Sequence, residues 1–367
     1  MARNIQIAMQ DKLNEIIDGG RDYGMQLAVY YKGELVVNAW AGVADTETRK
    51  PVTENTLFPV FSVTKGITAT MIHILADRGA LRYDQKVCEF WPEFARNGKK
   101  DITIRHTLSH TAGIPQMPYN LGRSDLNDWS RMCDIIAESE PLWAPGGPAV
   151  YHALTYGWIL GRVIELAGAK PFAKFLKDEI CDPPGIRNLY IGIPEDAAPS
   201  LSIATLYEPG FNADALNTGV KTVPKCCNPM CDWINERDTL KACIPAGNGT
   251  MNAMSLARHY ASLLPGGVDG VRLLSDDTIN AAVQATSIEG SPEPTNVFGL
   301  GYSLGFKGSM YGSRPTLFGH GGYGGSVGFA DLEHDFALGL TKNYFHANSA
   351  ELEIVRAVQN YLNIPPD

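Results

Sequence analysis

The chain has 367 residues, 44% of them hydrophobic and 19% charged, which is the composition of a globular protein with a large core. Its formal net charge is −9 and its lysines and arginines form no run, so neither a nucleic acid nor an anionic membrane is expected as a partner. No stretch of about 18 apolar residues occurs, so no segment is expected to span a membrane.

The N-terminal segment MARNIQIAMQDKLNEIIDGG predicts an amphipathic helix that ends at two glycines. Its apolar stripe consists of Ile5, Met9, Leu13, Ile16 and Ile17. Acidic side chains interrupt the apolar residues, which does not fit the continuous apolar region of a signal peptide. The seven cysteines are odd in number and scattered, as is typical of reduced thiols rather than of a disulfide framework. We therefore expect a cytoplasmic protein.

Alternating apolar and polar residues follow in MQLAVYYKGELVVNAWAGVAD, the pattern of a β-hairpin that turns at Lys32-Gly33. The residues from about Thr64 to Ala80 predict a buried helix, and LTYGWILGRVIELAG and MNAMSLARHYASLLPGG predict two more. In the last third of the chain, GLGYSLGF, PTLFGHGGYGGSVGFADL and FALGLTKNYF predict three short strands with glycine-rich turns. The segment SAELEIVRAVQNYLN predicts a final helix.

Strands thus occur at both ends of the chain, with helices between them. We predict an α+β fold, an α/β sandwich whose antiparallel sheet is built from both chain ends and flanked by helices. Residues 1–80 and 246–367 are expected to form this sandwich domain, and residues 81–245 an inserted, mainly helical lobe. Within the lobe, residues 192–245 are rich in Pro, Asn, Asp and Cys and predict an irregular cap.

Ser62 and Lys65 stand three residues apart in FSVTKGITAT, where a loop leads into the apolar helix. That spacing is nearly one helical turn, so the two side chains are expected on one face, a few ångströms apart. An ordinary lysine is protonated at pH 7 and useless as a base, but burial lowers the pKa of an amine. A neutral Lys65 could then take the Ser62 proton, and N–H groups at the helix start could stabilise the negative charge that develops.

The pair has a second interpretation, in which Ser62 is a helix cap and Lys65 extends its amine to solvent. The S-x-x-K spacing alone leaves both interpretations open. The spacing occurs at no other serine of this chain, and here it opens a strongly apolar helix. These two observations favour a nucleophile beside its base.

The segment FSVTKGITAT resembles the S-x-x-K element of the penicillin-recognising serine enzymes, which include class C β-lactamases, D-alanyl-D-alanine peptidases and family VIII carboxylesterases. Their second element, Y-x-N or a variant, is similar to YHALTYGWILGRVIELAG, which begins at Tyr151. Their third element, K-T-G or a variant, is similar to His320-Gly321-Gly322 in FGHGGYGGSVGFAD. The order and spacing of the three elements agree with those families, and LSHTAGIP is also similar.

The resemblance implies that Ser62 is acylated, that Lys65 is its base and that Tyr151 relays the proton to the leaving group. A positively charged Lys65 would lower the pKa of the Tyr151 phenol and ease that transfer. The resemblance further implies an oxyanion hole made by the backbone N–H groups of Ser62 and Tyr323. It implies neither a metal nor a cofactor.

Substrate is expected to lie against Ala153, His320, Gly321 and Gly322, where the glycines keep the strand edge free of side chains. Two of these positions depart from the β-lactamase pattern. The Asn expected two residues after Tyr151 is Ala153, so an amide that would hold a β-lactam or peptide side chain is missing. The Lys of K-T-G is His320, which is mostly neutral at pH 7 and is a weak partner for a penicillin-type carboxylate. Both departures resemble the esterase branch.

A competing motif is GGSVG, which matches the G-x-S-x-G nucleophile elbow of α/β-hydrolases at Ser326. That elbow requires a strand, a turn and a helix, whereas this segment leads into another strand. The available acids, Asp331 and Asp335, and the available His346 are too close in sequence to come from separate strands. Ser326 is therefore expected to line the edge strand.

Two further patterns are expected to be structural. The G-x-G-x-x-G of Gly319, Gly321 and Gly324 is followed by no helix, so a dinucleotide site is not expected. The clustered cysteines contain no C-x-x-C pair and no nearby His, so zinc is not expected. They are Cys226, Cys227, Cys231 and Cys243.

These inferences predict a serine hydrolase that cleaves a small-molecule ester through acyl-Ser62. Hydrolysis of an amide, in a β-lactam or a D-amino-acid peptide, is the alternative within the same chemistry, and acyl transfer to another acceptor is a further one. From a different class, the chain could be a non-catalytic binding protein on the same fold. The intact Ser62, Lys65 and Tyr151 argue against that reading.

Overall fold

A computed structural model of the protein describes residues 2–118, 120–209, 221–286, 298–345 and 350–365. Its strands are β1 (Gly24–Tyr31), β2 (Glu34–Gly42), β3 (Phe58–Pro59), β4 (Leu189–Ile191), β5 (Gly249–Met251), β6 (Ser303–Leu304), β7 (Leu317–Gly321), β8 (Val327–Asp331) and β9 (Phe336–Lys342). The main sheet has the order β2-β1-β9-β8-β7-β6. Strand β1 pairs antiparallel with both β2 and β9, so the sheet joins the two ends of the chain, as predicted.

The helices of the described residues are α1 (Ala2–Asp18), α2 (Thr64–Asp77), α3 (Ile104–Leu108), α4 (Arg123–Asn127), α5 (Trp129–Glu138), α6 (Thr155–Gly168), α7 (Phe172–Phe175), α8 (Met230–Ile234), α9 (Arg237–Lys241), α10 (Ala253–Ala261), α11 (Asp276–Ala282) and α12 (Ala350–Tyr361). Among these residues, no helix combines the length and the apolarity needed to cross a bilayer.

The sheet separates two hydrophobic cores because successive side chains of a strand point to opposite faces. Leu27 and Val29 of β1 pack with the apolar stripes of α1 and α12. Ala28 and Tyr30 face the other core, which contains α2, α6 and α10. The predicted α+β sandwich is therefore confirmed, with helices on both faces of an antiparallel sheet.

The hairpin predicted at Lys32-Gly33 is correct, but the count of C-terminal strands is wrong. The segment PTLFGHGGYGGSVGFADL forms two strands, β7 and β8, which pair antiparallel with each other. The chain reverses between them through Gly324 and Gly325, whose φ angles are +89° and +100°. Such angles favour glycine, so the predicted glycine-rich turn lies inside this segment and divides it into two strands.

A small second sheet lies beside the start of α2. Strand β5 pairs with β3, which precedes Ser62, and with β4 from the predicted lobe. Residues on both sides of the predicted domain boundary thus share one sheet. The division into residues 1–80 with 246–367 and residues 81–245 stays a prediction.

Candidate active site

Ser62 lies in a short 3₁₀ turn, Phe61–Val63, directly before α2. Phe61 has φ +47°, an uncommon conformation for an aromatic residue that costs about 1–3 kcal/mol and requires support from its surroundings. Thr64 gives that support, because its hydroxyl donates to the Phe61 carbonyl and accepts from the Gly249 N–H of β5. The turn is thus fastened to the small sheet, and Ser62 remains partly exposed.

Lys65 is in contact with Ser62, as its spacing predicts. Its Nζ lies 3.0 Å from the Ser62 Oγ and 2.8 Å from each of the carbonyl oxygens of Ala153 and Ala246. The Lys65 side chain has no exposed surface, and this burial holds its pKa well below the usual value of 10.5. The amine is therefore shielded from water, whereas the hydroxyl beside it is within reach of a substrate.

The three contacts of Lys65 fit a neutral amine, which has two N–H donors and one lone pair. The two carbonyls of Ala153 and Ala246 accept both N–H groups. The lone pair is then left for the hydroxyl of Ser62, which donates to it. The arrangement therefore suits an amine that accepts a proton from this serine.

Tyr151 completes the cluster, since its hydroxyl is hydrogen-bonded to Ser62 and its ring centroid lies 4.8 Å from Lys65 Nζ. The expected direction of its pKa shift is wrong. Burial raises the pKa of the Tyr151 phenol above 10, and the hydrogen bond to Ser62 opposes this only in part. The expectation assumed a charged Lys65, whereas a buried, neutral amine offers no positive charge to lower the pKa. Tyr151 is thus a protonated phenol in contact with both Ser62 and Lys65.

Ala153 has a contact that its side chain does not suggest. It replaces the amide of the β-lactamase pattern, yet its main-chain carbonyl accepts from Lys65. The carbonyl of Ala246 does the same from a distant part of the chain. Ala246 has no signal in the sequence, because every residue has a carbonyl. The ring of His110, from LSHTAGIP, lies 4.7 Å from that of Tyr151 and forms one wall of the cluster.

His320 lies on β7 and is buried, with 5% of its surface exposed. Its Nδ1 lies 2.7 Å from the Gly321 carbonyl oxygen, so Nδ1 carries the proton and donates. Burial lowers the pKa of His320 to about 3. Its Nε2 is buried and has no hydrogen-bond partner among the described residues. At the position of the K-T-G lysine, the site therefore has a neutral ring with a lone pair.

Gly322 brings the end of β7 against the turn that holds Ser62. A Cβ at this glycine would clash with the carbonyl oxygen of Val60 and would lie 3.2 Å from the Val63 side chain. The next residue, Tyr323, stacks edge-on against Phe61, with ring centroids 5.6 Å apart. Ser62 and Tyr323, predicted to supply the oxyanion N–H groups, therefore lie on neighbouring segments in direct contact.

Gly322→Ala should lower kcat for an aryl ester by roughly 10-fold to 100-fold, because the methyl group forces β7 away from the Ser62 turn. The overpacking should also cost about 1–3 kcal/mol of stability. Gly122→Ala is the matched control, since the added Cβ would meet only ordinary contacts of 3.6 Å. Steady-state kinetics on both purified variants measure the effect. Full activity of Gly322→Ala would show that this close approach is not needed.

Ser326 is buried, with 2% of its surface exposed, and its Oγ accepts from the Lys342 N–H. It leads directly into β8 rather than into a helix, which confirms that it does not lie on a nucleophile elbow. Asp331 at the end of β8 is paired with Arg314, Thr316 and His334. His346 lies outside the described residues.

Comparisons with known proteins agree with this geometry. The model of the Beta-lactamase family matches residues 11–362. The esterase/beta-lactamase LipL of Mycobacterium tuberculosis is 33% identical over 341 residues, which cover 89% of this chain and 78% of that protein. The crystal structure of a family VIII carboxylesterase superposes with a TM-score of 0.85 at 29% identity, covering 96% of this chain and 97% of the other.

A crystal structure of a penicillin-binding protein homolog from Caulobacter crescentus superposes with a TM-score of 0.83 at 28% identity, covering 96% of each chain. The resemblance drawn from the three sequence elements is thereby confirmed. Because the family model spans nearly the whole chain and the similar structures share its fold from end to end, the chain belongs to the Beta-lactamase family.

Proposed function

We propose that this protein, a serine hydrolase of the Beta-lactamase family, cleaves small-molecule carboxylic esters through an acyl-Ser62 intermediate. The observation that carries the proposal is the contact of a fully buried amine with a partly exposed hydroxyl, Lys65 Nζ to Ser62 Oγ at 3.0 Å. All three hydrogen-bond partners of that amine are uncharged, so the neutral form is favoured. A neutral amine beside a hydroxyl is an activated nucleophile.

In the first half of the reaction, Lys65 takes the Ser62 proton while Oγ bonds to the ester carbonyl carbon. The backbone N–H groups of Ser62 and Tyr323 hold the oxygen as it becomes negative. Tyr151 gives its proton to the departing alkoxide and regains one from Lys65, so an alcohol leaves and Ser62 is acylated. A water then attacks the acyl carbon, loses its proton to the same pair, and releases a carboxylic acid with Ser62 restored.

The surroundings of Ser62 support a neutral ester over a β-lactam. A penicillin-type carboxylate would meet the neutral His320 where the β-lactamase pattern has a lysine. An amide side chain of a substrate would meet Ala153, which has no group to bind it. The name of the similar esterase/beta-lactamase of M. tuberculosis and the similar family VIII carboxylesterase structure support the same choice.

The wild-type enzyme should hydrolyse an aryl ester with a kcat/KM at least about 100-fold above that for a chromogenic cephalosporin, because the two missing polar contacts cost about 3 kcal/mol together. The ester reaction should show a burst of phenol equal to the enzyme concentration if deacylation is the slower step. Both substrates are followed by absorbance at one pH. Cephalosporin turnover that equals ester turnover would contradict the ester assignment.

His320→Lys tests the reason for this preference. An ammonium at this position should lower the cephalosporin KM about 10-fold and leave the ester KM unchanged, since only the cephalosporin has a carboxylate. His334→Lys is the control, because His334 pairs with Asp331 on another part of the sheet. An unchanged cephalosporin KM in His320→Lys would mean that this position does not face the carboxylate.

The cysteines support the proposed cytoplasmic location. All seven are free thiols, and Cys133, Cys181, Cys227 and Cys231 are buried. Disulfides are common in proteins of oxidising compartments and rare in the cytosol. Seven unpaired thiols therefore fit a reducing compartment such as the cytoplasm better than an oxidising one.

A further inference from the structure

We propose that Glu208 is a positioning residue, which fixes the side chain of Tyr323 and thereby the backbone N–H that receives the oxyanion. The inference rests on the proposed function, because it assigns an outer support to the same acyl-transfer site. Glu208 belongs to the predicted cap segment and is 115 residues away from Tyr323 in the chain. No motif in the sequence connects the two.

The contact itself is a hydrogen bond between a phenol and a carboxylate. The Tyr323 hydroxyl donates to Glu208 Oε1, and both side chains are half-buried. A hydrogen bond to a charged acceptor is roughly twice as strong as one between neutral groups. The carboxylate also faces the N–H and the thiol of Cys231, at the start of α8. Glu208 thus connects the cap segment to the residue that follows β7.

Glu208 is itself held firmly by its neighbour in the chain. The Tyr207 N–H donates to the Asn343 carbonyl at 2.8 Å, and the Phe345 N–H donates to the Tyr207 carbonyl at 2.8 Å. These bonds tie the segment to the chain that continues from β9. The carboxylate therefore has a fixed position relative to the main sheet, and a side chain that binds it acquires the same fixed position.

The glycine-rich turn around Tyr323 is closed by two backbone hydrogen bonds, from the Gly322 N–H to the Ser326 carbonyl at 2.8 Å and from the Gly325 N–H to the Gly322 carbonyl at 3.1 Å. Gly321 and Gly322 precede Tyr323, and Gly324 and Gly325 follow it. Glycine has more backbone freedom than any other residue, so this run does not by itself determine where the Tyr323 N–H points. The two bonds hold the ends of the turn, and the contacts of its single large side chain hold the Tyr323 peptide between them.

The ring of Tyr323 also fixes the position of the turn that holds Ser62. It packs edge-on against Phe61 and against Phe345, with centroid distances of 5.6 Å in both cases. Phe61 is the residue before Ser62, so one aromatic contact relates the two segments that are proposed to supply the oxyanion donors. The hydroxyl bond to Glu208 fixes the far end of the same ring. Loss of that bond should allow the Tyr323 ring to rotate and should displace the Tyr323 backbone N–H from the oxyanion position.

The test compares Tyr323→Phe, Glu208→Ala and Glu208→Gln with the wild type on an aryl ester. Tyr323→Phe and Glu208→Ala should each lower kcat roughly 10-fold to 100-fold, with a KM within about 3-fold of the wild-type value. A misplaced oxyanion donor weakens the binding of the transition state and leaves the binding of the substrate unchanged. An arylboronic acid, whose adduct with a serine is tetrahedral, should bind more weakly by the same factor. Glu208→Gln keeps an acceptor oxygen and should recover most of the loss.

Two further variants separate positioning from general structural support. The double variant Tyr323→Phe/Glu208→Ala should lose no more than the worse single variant, since both remove one bond. Tyr207→Phe is the matched control and should retain kcat. Its hydroxyl also makes hydrogen bonds, accepting from the Thr46 N–H and donating to Asp45 rather than to Glu208.

Unchanged kcat and unchanged boronate affinity in Tyr323→Phe would overturn the inference, whatever happens to the stability of the Glu208 variants. Ser62→Ala, measured in the same assay, distinguishes this failure from failure of the proposed function. If Ser62→Ala is inactive and Tyr323→Phe is fully active, only the role of Glu208 is wrong. If Ser62→Ala is active, the acyl-enzyme proposal fails as well.

Discussion

Ser62→Ala is expected to lower kcat/KM for an aryl ester by roughly 10⁴-fold to 10⁶-fold while leaving the protein folded. The loss corresponds to about 5–8 kcal/mol of transition-state stabilisation. It is large because the covalent route through the Ser62 oxygen disappears. Stability should change by only about 1 kcal/mol, since the variant loses one hydroxyl that is partly exposed.

The measurement combines kinetics with intact mass spectrometry. A fluorophosphonate should add one phosphonyl group to the wild type and none to Ser62→Ala. Ser326→Ala is the matched control, because Ser326 is the serine of the competing G-x-S-x-G match and is buried against β9. It should keep its activity and its labelling. Labelling that persists in Ser62→Ala and disappears in Ser326→Ala would show that Ser326 is the nucleophile and would contradict the assignment of Ser62.

The Ser62–Lys65 pair is predictable from the sequence because its geometry is local. Three residues at the start of a helix determine a contact of 3.0 Å without reference to the rest of the chain. The hairpin at Lys32-Gly33 is predictable for the same reason, since alternation and a two-residue turn specify it. Tyr151 has no such local pattern, so only the resemblance to a family could place it beside Ser62.

The remaining parts of the site depend on long-range contacts between groups that have no sequence signature. The carbonyl of Ala246 binds Lys65 across 181 residues, and any residue type would supply it equally well. The hydrogen bond from Tyr323 to Glu208 joins a strand end to a cap. The wrong direction for the pKa of Tyr151 has the same origin, because the charge state of Lys65 depends on burial that only the folded chain determines.

Lys65→Met is expected to lower kcat for the ester by roughly 10²-fold to 10⁴-fold, the range that general base catalysis contributes. The substituted side chain has a similar length but no atom that accepts the Ser62 proton. Adding Lys65→Met to Ser62→Ala should cause almost no further loss, because the two residues act as a unit. Lys65→Met that keeps more than about half of the wild-type kcat would remove the amine from the mechanism.

The wild-type pH profile provides the second measurement. Only the neutral amine is a base, so activity should fall about 10-fold per pH unit below the pKa of Lys65 and level off above it. Burial holds this pKa well below 10.5, so the plateau should be reached far below that pH. Lys99→Met is the control, since Lys99 is also fully buried and burial lowers its pKa to about 8. The Lys99 amine lies away from Ser62 and donates to the carbonyls of Arg96, Ala137 and Ser139. Its removal should leave the shape of the profile unchanged.

The lowered pKa of Lys65 also makes the stability of the protein depend on pH. In the unfolded chain Lys65 has a pKa near 10.4, whereas burial lowers it in the folded protein. Between these two values the unfolded state binds more protons, so the contribution of Lys65 to the free energy of unfolding rises with pH across that window. The melting temperature of the wild type minus that of Lys65→Met should therefore increase as the pH is raised. A difference that stays constant or decreases over the same range would mean that Lys65 is charged in the folded protein, and the neutral base would have to be abandoned.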